Sequence, residues 1–173
     1  TGHDAWKRYT SAGSWYYEVV AAGYKYNMTD IQAAIGIHQL SKLDGFIRRR
    51  RQIASQYDRV LAELDGIDTL LNHPDREHVY HLYPVLLDAD RFTIDRDQWI
   101  IQLKERNVGT SVHFIPVHLH PFYQQTYGYQ VGDFPAAEGI YQRIVSLPIY
   151  PRMSDGDQEY VISAIMDIAN IYS

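Results

Sequence analysis

The sequence predicts an α+β fold, with two antiparallel helices followed by a layer of few strands and several helices. Three observations carry that expectation. Apolar residues recur at helical spacing through two successive segments between Thr29 and Leu64. After Gly66 the pattern changes to short strand-like runs at residues 79–87, 110–114 and 146–150. Helical spacing then returns in Tyr160, Val161, Ala164, Ile165 and Ile168.

Taken in order, residues 1–28 are rich in aromatic side chains (Trp6, Tyr9, Trp15, Tyr16, Tyr17) and lack a helical period, so they read as an ordered arm and loop, with Val19 and Val20 suiting a short strand. Thr29 is placed to cap a helix, because Gln32 three residues on can return a hydrogen bond to the cap's amide. Ile31, Ala34, Ile35 and Leu43 follow its period, and Gly45 suggests a break before a second helix at 46–64. That helix carries Ile53, Tyr57, Val60, Leu61 and Leu64 on one face. Its four consecutive arginines, Arg48 to Arg51, point around the whole circumference, so they predict a solvated surface with local ion pairs and no flat basic patch. Pro84 should place its strand at an edge or a bulge. Asp95 with Gln98 caps a helix reaching about Arg106, with Trp99, Ile100 and Leu103 inward. Pro135 and Glu138 suit the first turn of a helix through Ile144, and Ser154 with Asp157 starts the last one. The organisation expected is an arm and loop at 1–28, bridging helices at 29–66 and a small α+β domain at 67–173.

Composition removes several classes of function. At 173 residues and 46% hydrophobic content the chain can bury a core. A net charge of −5 disfavours nucleic-acid binding, which needs clustered cations for phosphates. No apolar run is long enough for a transmembrane helix and no secretory pattern opens the chain. The absence of cysteine excludes disulfides and thiolate metal sites and fits a cytoplasmic protein. The opening Thr1-Gly2-His3-Asp4, without an initiator methionine, suggests a start inside a longer protein.

The densest polar cluster is His113, His118 and His120, three histidines in residues 113–120 just after a predicted strand. Neutral imidazole is a common metal ligand, but His118 and His120 share a face only in an extended segment and two prolines flank them, so ordinary polar or substrate contacts are preferred over a metal. His81, between apolar neighbours, reads equally as a hydrogen-bonded core or cleft-edge histidine and as a functional one. No nucleophile elbow and no glycine-rich phosphate loop occurs.

Recognition adds to this. The run Gly23-Tyr24-Lys25-Tyr26-Asn27-Met28-Thr29-Asp30-Ile31-Gln32-Ala33-Ala34-Ile35-Gly36, with Gln39-Leu40 and Arg49-Arg50 through Tyr57, resembles the DegT/DnrJ/StrS family of sugar aminotransferases. So do His81-Leu82-Tyr83-Pro84, Val112-His113-Phe114 with Pro116 and His118, Phe134-Pro135 with Glu138, and Ser146-Leu147-Pro148-Ile149-Tyr150-Pro151, in the same order. The resemblance implies a pyridoxal-phosphate enzyme of the aspartate-aminotransferase fold (fold type I), of which this chain is the C-terminal part: two helices and a small antiparallel sheet covered by helices. It implies a homodimer that moves an amino group, usually from glutamate, to a keto group on a nucleotide-linked sugar. The Schiff-base lysine and the aspartate that pairs with the cofactor ring would lie upstream of Thr1. Lys7, Lys25, Lys42 and Lys104 do not sit in the lysine motif, so no catalytic residue is expected here and the chain alone should be inactive.

In that family the loop before the first helix enters the neighbouring subunit's site and commonly reads Gly-aromatic-Asn-aromatic-Arg. Here Lys25 and Asn27 hold the two polar positions with the donor types exchanged, so the resemblance implies cofactor or substrate phosphate contacts through a point charge and an amide, without arginine's fork. The resemblance also implies that Tyr24 and Tyr26 fall beside substrate. His113 matches a His-Tyr pair near the substrate phosphates, with Phe114 lacking the hydroxyl, and His118 and Tyr123 line the same edge. A non-catalytic regulatory or interaction module on the same scaffold is the alternative.

Overall fold

The computed structural model describes residues 21–173. The expectations for Val19, Val20 and the rings of Trp6 to Tyr17 lie outside them. The chain divides between Leu40 and Ser41 into two compact units.

In the first unit, residues 22–29 have no regular structure and lead into α1 (Asp30–Leu40). The expected cap is present: the Gln32 amide donates to Thr29 Oγ1 at 3.3 Å and the Thr29 amide to Gln32 Oε1 at 2.9 Å. No residue of α1 is buried.

The second unit opens with α2 (Leu43–Leu61), so Gly45 lies inside a helix and the break falls earlier, at Ser41 and Lys42. A glycine in the first turn costs helix stability, but the long apolar face outweighs it. Ile53, Ala54, Tyr57 and Leu61 are buried on that face. They pack with β1 (Ile67–Thr69), β2 (Tyr83–Leu87), α3 (Arg96–Glu105), β3 (Ile144–Leu147) and α6 (Asp155–Tyr172) around one core. The sheet runs β1-β2-β3, antiparallel throughout, with Val85 opposite both Thr69 and Val145.

Pro84 is therefore in the central strand and not at an edge. It pairs with Ser146, whose amide and carbonyl are both spent on Ser111. The Pro84 nitrogen consequently faces the other side, where β1 has already ended at Thr69, so no ladder bond is lost there. The strand is shorter than the 79–87 run because Tyr80 has φ of +48°, which no strand accommodates. Residues 110–114 do not form a strand; Ser111 makes a single bridge to Ser146. The strand expected at 146–150 is shifted to Ile144–Leu147, stopping where Pro148 has no amide to offer.

Capping boxes at Asp95 with Gln98 and at Ser154 with Asp157 start α3 and α6. Trp99 and Leu103 are buried, as are Val161, Ala164, Ile165 and Ile168; Tyr160 is exposed and donates its hydroxyl to the Arg106 carbonyl. Gln158 is fully buried and donates to the Ile53 carbonyl at 2.7 Å.

The arginine run is a set of clamps. Arg49 donates to the Met153 carbonyl and pairs with Asp155 at 2.8 Å, Arg50 donates to the Tyr80 and His81 carbonyls, and Arg51 donates to the His78 carbonyl and pairs with Glu77. Pointing around the helix, they tie α2 to two separate loops where local ion pairs alone had been expected. Among the described residues no helix is long and apolar enough to cross a membrane.

Candidate functional site

Beyond the Ser111 bridge residues 112–116 have no regular structure, with a cis peptide bond between His113 and Phe114, and lead into a 3-10 turn, Val117–Leu119, followed by α4 (Pro121–Tyr127) and α5 (Pro135–Arg143). Prolines at the first helical position start both helices, where a missing amide is harmless. Gly128, with φ of +75°, ends α4 in a left-handed cap.

The turn buries His118 and aims Nε2 at Glu138 Oε1 on α5, 2.8 Å away. Glu138 also accepts the Gly132 amide on both oxygens, at 2.8 and 3.1 Å, and the Phe134 amide at 3.4 Å. These donors, His118 first and Gly132 next, hold the Glu138 carboxyl below its ordinary range, against a smaller opposing effect of desolvation. One carboxylate thus fixes the turn, the loop at 128–134 and α5. Beside them opens a cleft of about 480 Å³ whose lining includes Val117, His118, Tyr123, Tyr127, Tyr129 and Phe134.

Of the residues expected at a site, His118 and Tyr123 come together in this cleft. His113 and Phe114 do not line it: His113 Nδ1 meets Ser146 Oγ at 2.8 Å, and Phe114 is exposed with its ring edge-on to His113. Lys25, Asn27, Tyr24 and Tyr26 belong to the first unit. All four are exposed, the two tyrosine rings lie 5.5 Å apart, and Lys25 and Asn27 make no side-chain hydrogen bond with a described residue. His81 is exposed and is not a core histidine. No three His, Cys, Asp or Glu side chains among the described residues are grouped to hold a metal ion.

The sequence does not mark Tyr127, Tyr129 and Phe134 as cleft residues, and Glu138 enters it as a helix-start acid and, with Phe134 and Pro135, as part of a family motif. The available signal was the four-residue spacing of Tyr123 and Tyr127, which puts both rings on one side of a helix.

A family model, the DegT/DnrJ/EryC1/StrS aminotransferase family, matches residues 1–166. The chain belongs to this family. Among its relatives, the uncharacterized protein MJ1066 of Methanocaldococcus jannaschii is 54% identical over 96% of this chain and 43% of its own length. The spore coat polysaccharide biosynthesis protein SpsC of Bacillus subtilis is 50% identical over 95% of this chain and 42% of its own length. Among solved structures, DesV of S. venezuelae, in complex with a ketimine intermediate, superposes with a TM-score of 0.78 at 30% identity, over 94% of this chain and 42% of DesV. The chain therefore spans well under half the length of the DegT/DnrJ/EryC1/StrS proteins it matches. Its α+β architecture is that of part of a fold type I sugar aminotransferase, and enzymes of this family depend on pyridoxal phosphate.

Proposed function

We propose that these residues are the C-terminal part of a pyridoxal-phosphate-dependent aminotransferase that passes an amino group from glutamate to a keto sugar nucleotide in amino-sugar or surface-polysaccharide synthesis. The family match over residues 1–166, together with the relation to SpsC, carries this reading. The enzyme works as a cytoplasmic homodimer with a shared active site.

When bound, the cofactor supplies an electron sink for the transfer. The residues present fit its phosphate: Lys25 is an exposed cation and Asn27 an exposed amide donor, neither engaged by a described residue, on a loop held at one end by the Thr29–Gln32 cap. They would hold the phosphate in a partner subunit's site. His113, whose Nδ1 meets Ser146 Oγ, would contact the substrate phosphates; Phe114, Tyr24 and Tyr26 would supply apolar contact, and His118 and Tyr123 would line the edge. None of Lys7, Lys25, Lys42 and Lys104 sits in the motif of the lysine that carries the cofactor. That lysine lies elsewhere in the full protein, and this chain alone is inactive.

The test is amination by the full-length protein loaded with pyridoxal phosphate. Mass spectrometry should show a glutamate-dependent amino product from a keto sugar nucleotide. Absence of product with an intact cofactor lysine would overturn the reading in favour of a non-catalytic module.

A further inference from the structure

The cleft below the 3-10 turn has a lining with a definite chemical preference. Its volume, about 480 Å³, falls in the range of small-molecule sites, about 300 to 1,000 Å³. Its rings form a continuous series: Tyr123 with Tyr127 at 6.1 Å between centroids, Tyr127 with Tyr129 at 5.8 Å, Tyr129 with Phe134 at 5.5 Å and Phe134 with His118 at 4.7 Å. The wall is set by Glu138, which holds His118 from one side and the amides of Gly132 and Phe134 from the other.

The polar inventory is short. Among the described residues no lysine or arginine lines the cleft, so it offers phosphate no cationic side chain of theirs. His118 Nε2 is already committed to Glu138, leaving chiefly phenolic hydroxyls as hydrogen-bonding side-chain groups. A nucleobase concentrates its polar atoms on one edge and presents bare faces, and every base has a face that stacks on an aromatic side chain. Tyr127 remains well exposed, with one ring free to be covered.

We propose that this cleft receives the base of the nucleotide-linked substrate, a neutral heterocycle laid on Tyr127 and Tyr129, with its phosphates outside the aromatic lining. This rests on the nucleotide-sugar reading above and adds to it the place and the chemistry of base recognition.

The experiment uses the full-length protein, titrated by calorimetry with uridine and thymidine diphosphates and, as a base-free probe, a hexose 1-phosphate. Tyr127→Ala should weaken binding of at least one nucleotide by about tenfold, the scale of one lost base–aromatic stack, and leave the base-free probe unchanged. Tyr127→Phe, which keeps the ring, should restore most of the affinity. Unchanged nucleotide affinity in folded Tyr127→Ala, equal weakening of both probe types, or no nucleotide binding by the unsubstituted protein overturns the proposal. Glutamate-dependent amination is scored separately: an active enzyme whose nucleotide affinity ignores Tyr127 loses the base site and keeps the function.

Discussion

His118 and Glu138, twenty residues apart in sequence, meet at 2.8 Å with 7% and 12% of their side chains exposed. The contact joins a short turn to a helix that shares no hydrogen-bond ladder with it. Because Glu138 also collects the amides of Gly132 and Phe134, it organises a loop that has no regular secondary structure of its own.

The Glu138 carboxyl is held below its ordinary 4.5, mainly by His118 and then by Gly132. A carboxyl whose folded pKa is depressed adds stability that is present above the unfolded value and lost as pH falls through the folded one. Urea midpoints should therefore fall as pH drops through and below the ordinary Glu range, and Glu138→Gln should remove that part of the slope while lowering stability at neutral pH. Identical acid slopes for the two proteins would show that the contact contributes nothing.

Gly66 has φ of +90°, and a Cβ there would lie 2.8 Å from both Arg91 Cβ and Phe92 Cε2. Its carbonyl also accepts the Asp88 amide at 2.8 Å, so the turn cannot readily shift. Gly66→Ala should cost about 1 to 3 kcal/mol, combining an unfavourable φ with a clash at the buried Phe92 ring. Chemical denaturation measures it, and a loss under about 0.5 kcal/mol would mean that the turn relaxes.

Tyr83, in the motif His81-Leu82-Tyr83-Pro84, is buried in β2 and donates its hydroxyl to Asp58 Oδ1 at 2.5 Å. Burial first, and then this hydrogen bond, push its phenol well above the ordinary tyrosine range. Tyr83→Phe keeps the ring against Tyr57 but strands the carboxylate, and should destabilise by about 1 to 3 kcal/mol. The intact tyrosine should also resist ionisation by alkali until the protein unfolds, which absorbance near 295 nm would follow on an approximate pH scale above its ordinary value of about 10.

The helices other than α4, of which the histidine-rich run gives no sign, were legible because their signals are local. Thr29 with Gln32, Asp95 with Gln98 and Ser154 with Asp157 each combine a cap and its return partner within four residues, and all three boxes form. The arginine clamps were not, because Arg49 reaches Met153 and Arg50 reaches Tyr80, contacts that no period encodes. Pro84 misled for a related reason. A proline argues against a central strand only if its nitrogen faces a partner, and the early end of β1 removes that partner. The cleft was half legible: His118 and Tyr123 stand in a histidine-rich run, whereas Tyr129 and Phe134 enter only through the loop that Glu138 folds back.

Lys25 and Asn27 supply the last test, since neither has a described side-chain partner that would explain its presence structurally. If they hold the cofactor phosphate, each contributes a hydrogen bond to a charged group, worth about 1.5 to 3 kcal/mol. Lys25→Ala in the full-length protein should then weaken pyridoxal phosphate retention by roughly ten- to hundredfold, a range set by that energy. Asn27→Ala should do the same at the lower end, because it removes a neutral donor. Lys25→Arg separates charge from shape: it preserves the cation and adds a fork, so retention should stay near the original value if a point charge suffices. Cofactor content after dialysis, read by absorbance, decides among these. Full retention by Lys25→Ala would make Lys25 a surface lysine and leave phosphate binding to residues elsewhere in the protein.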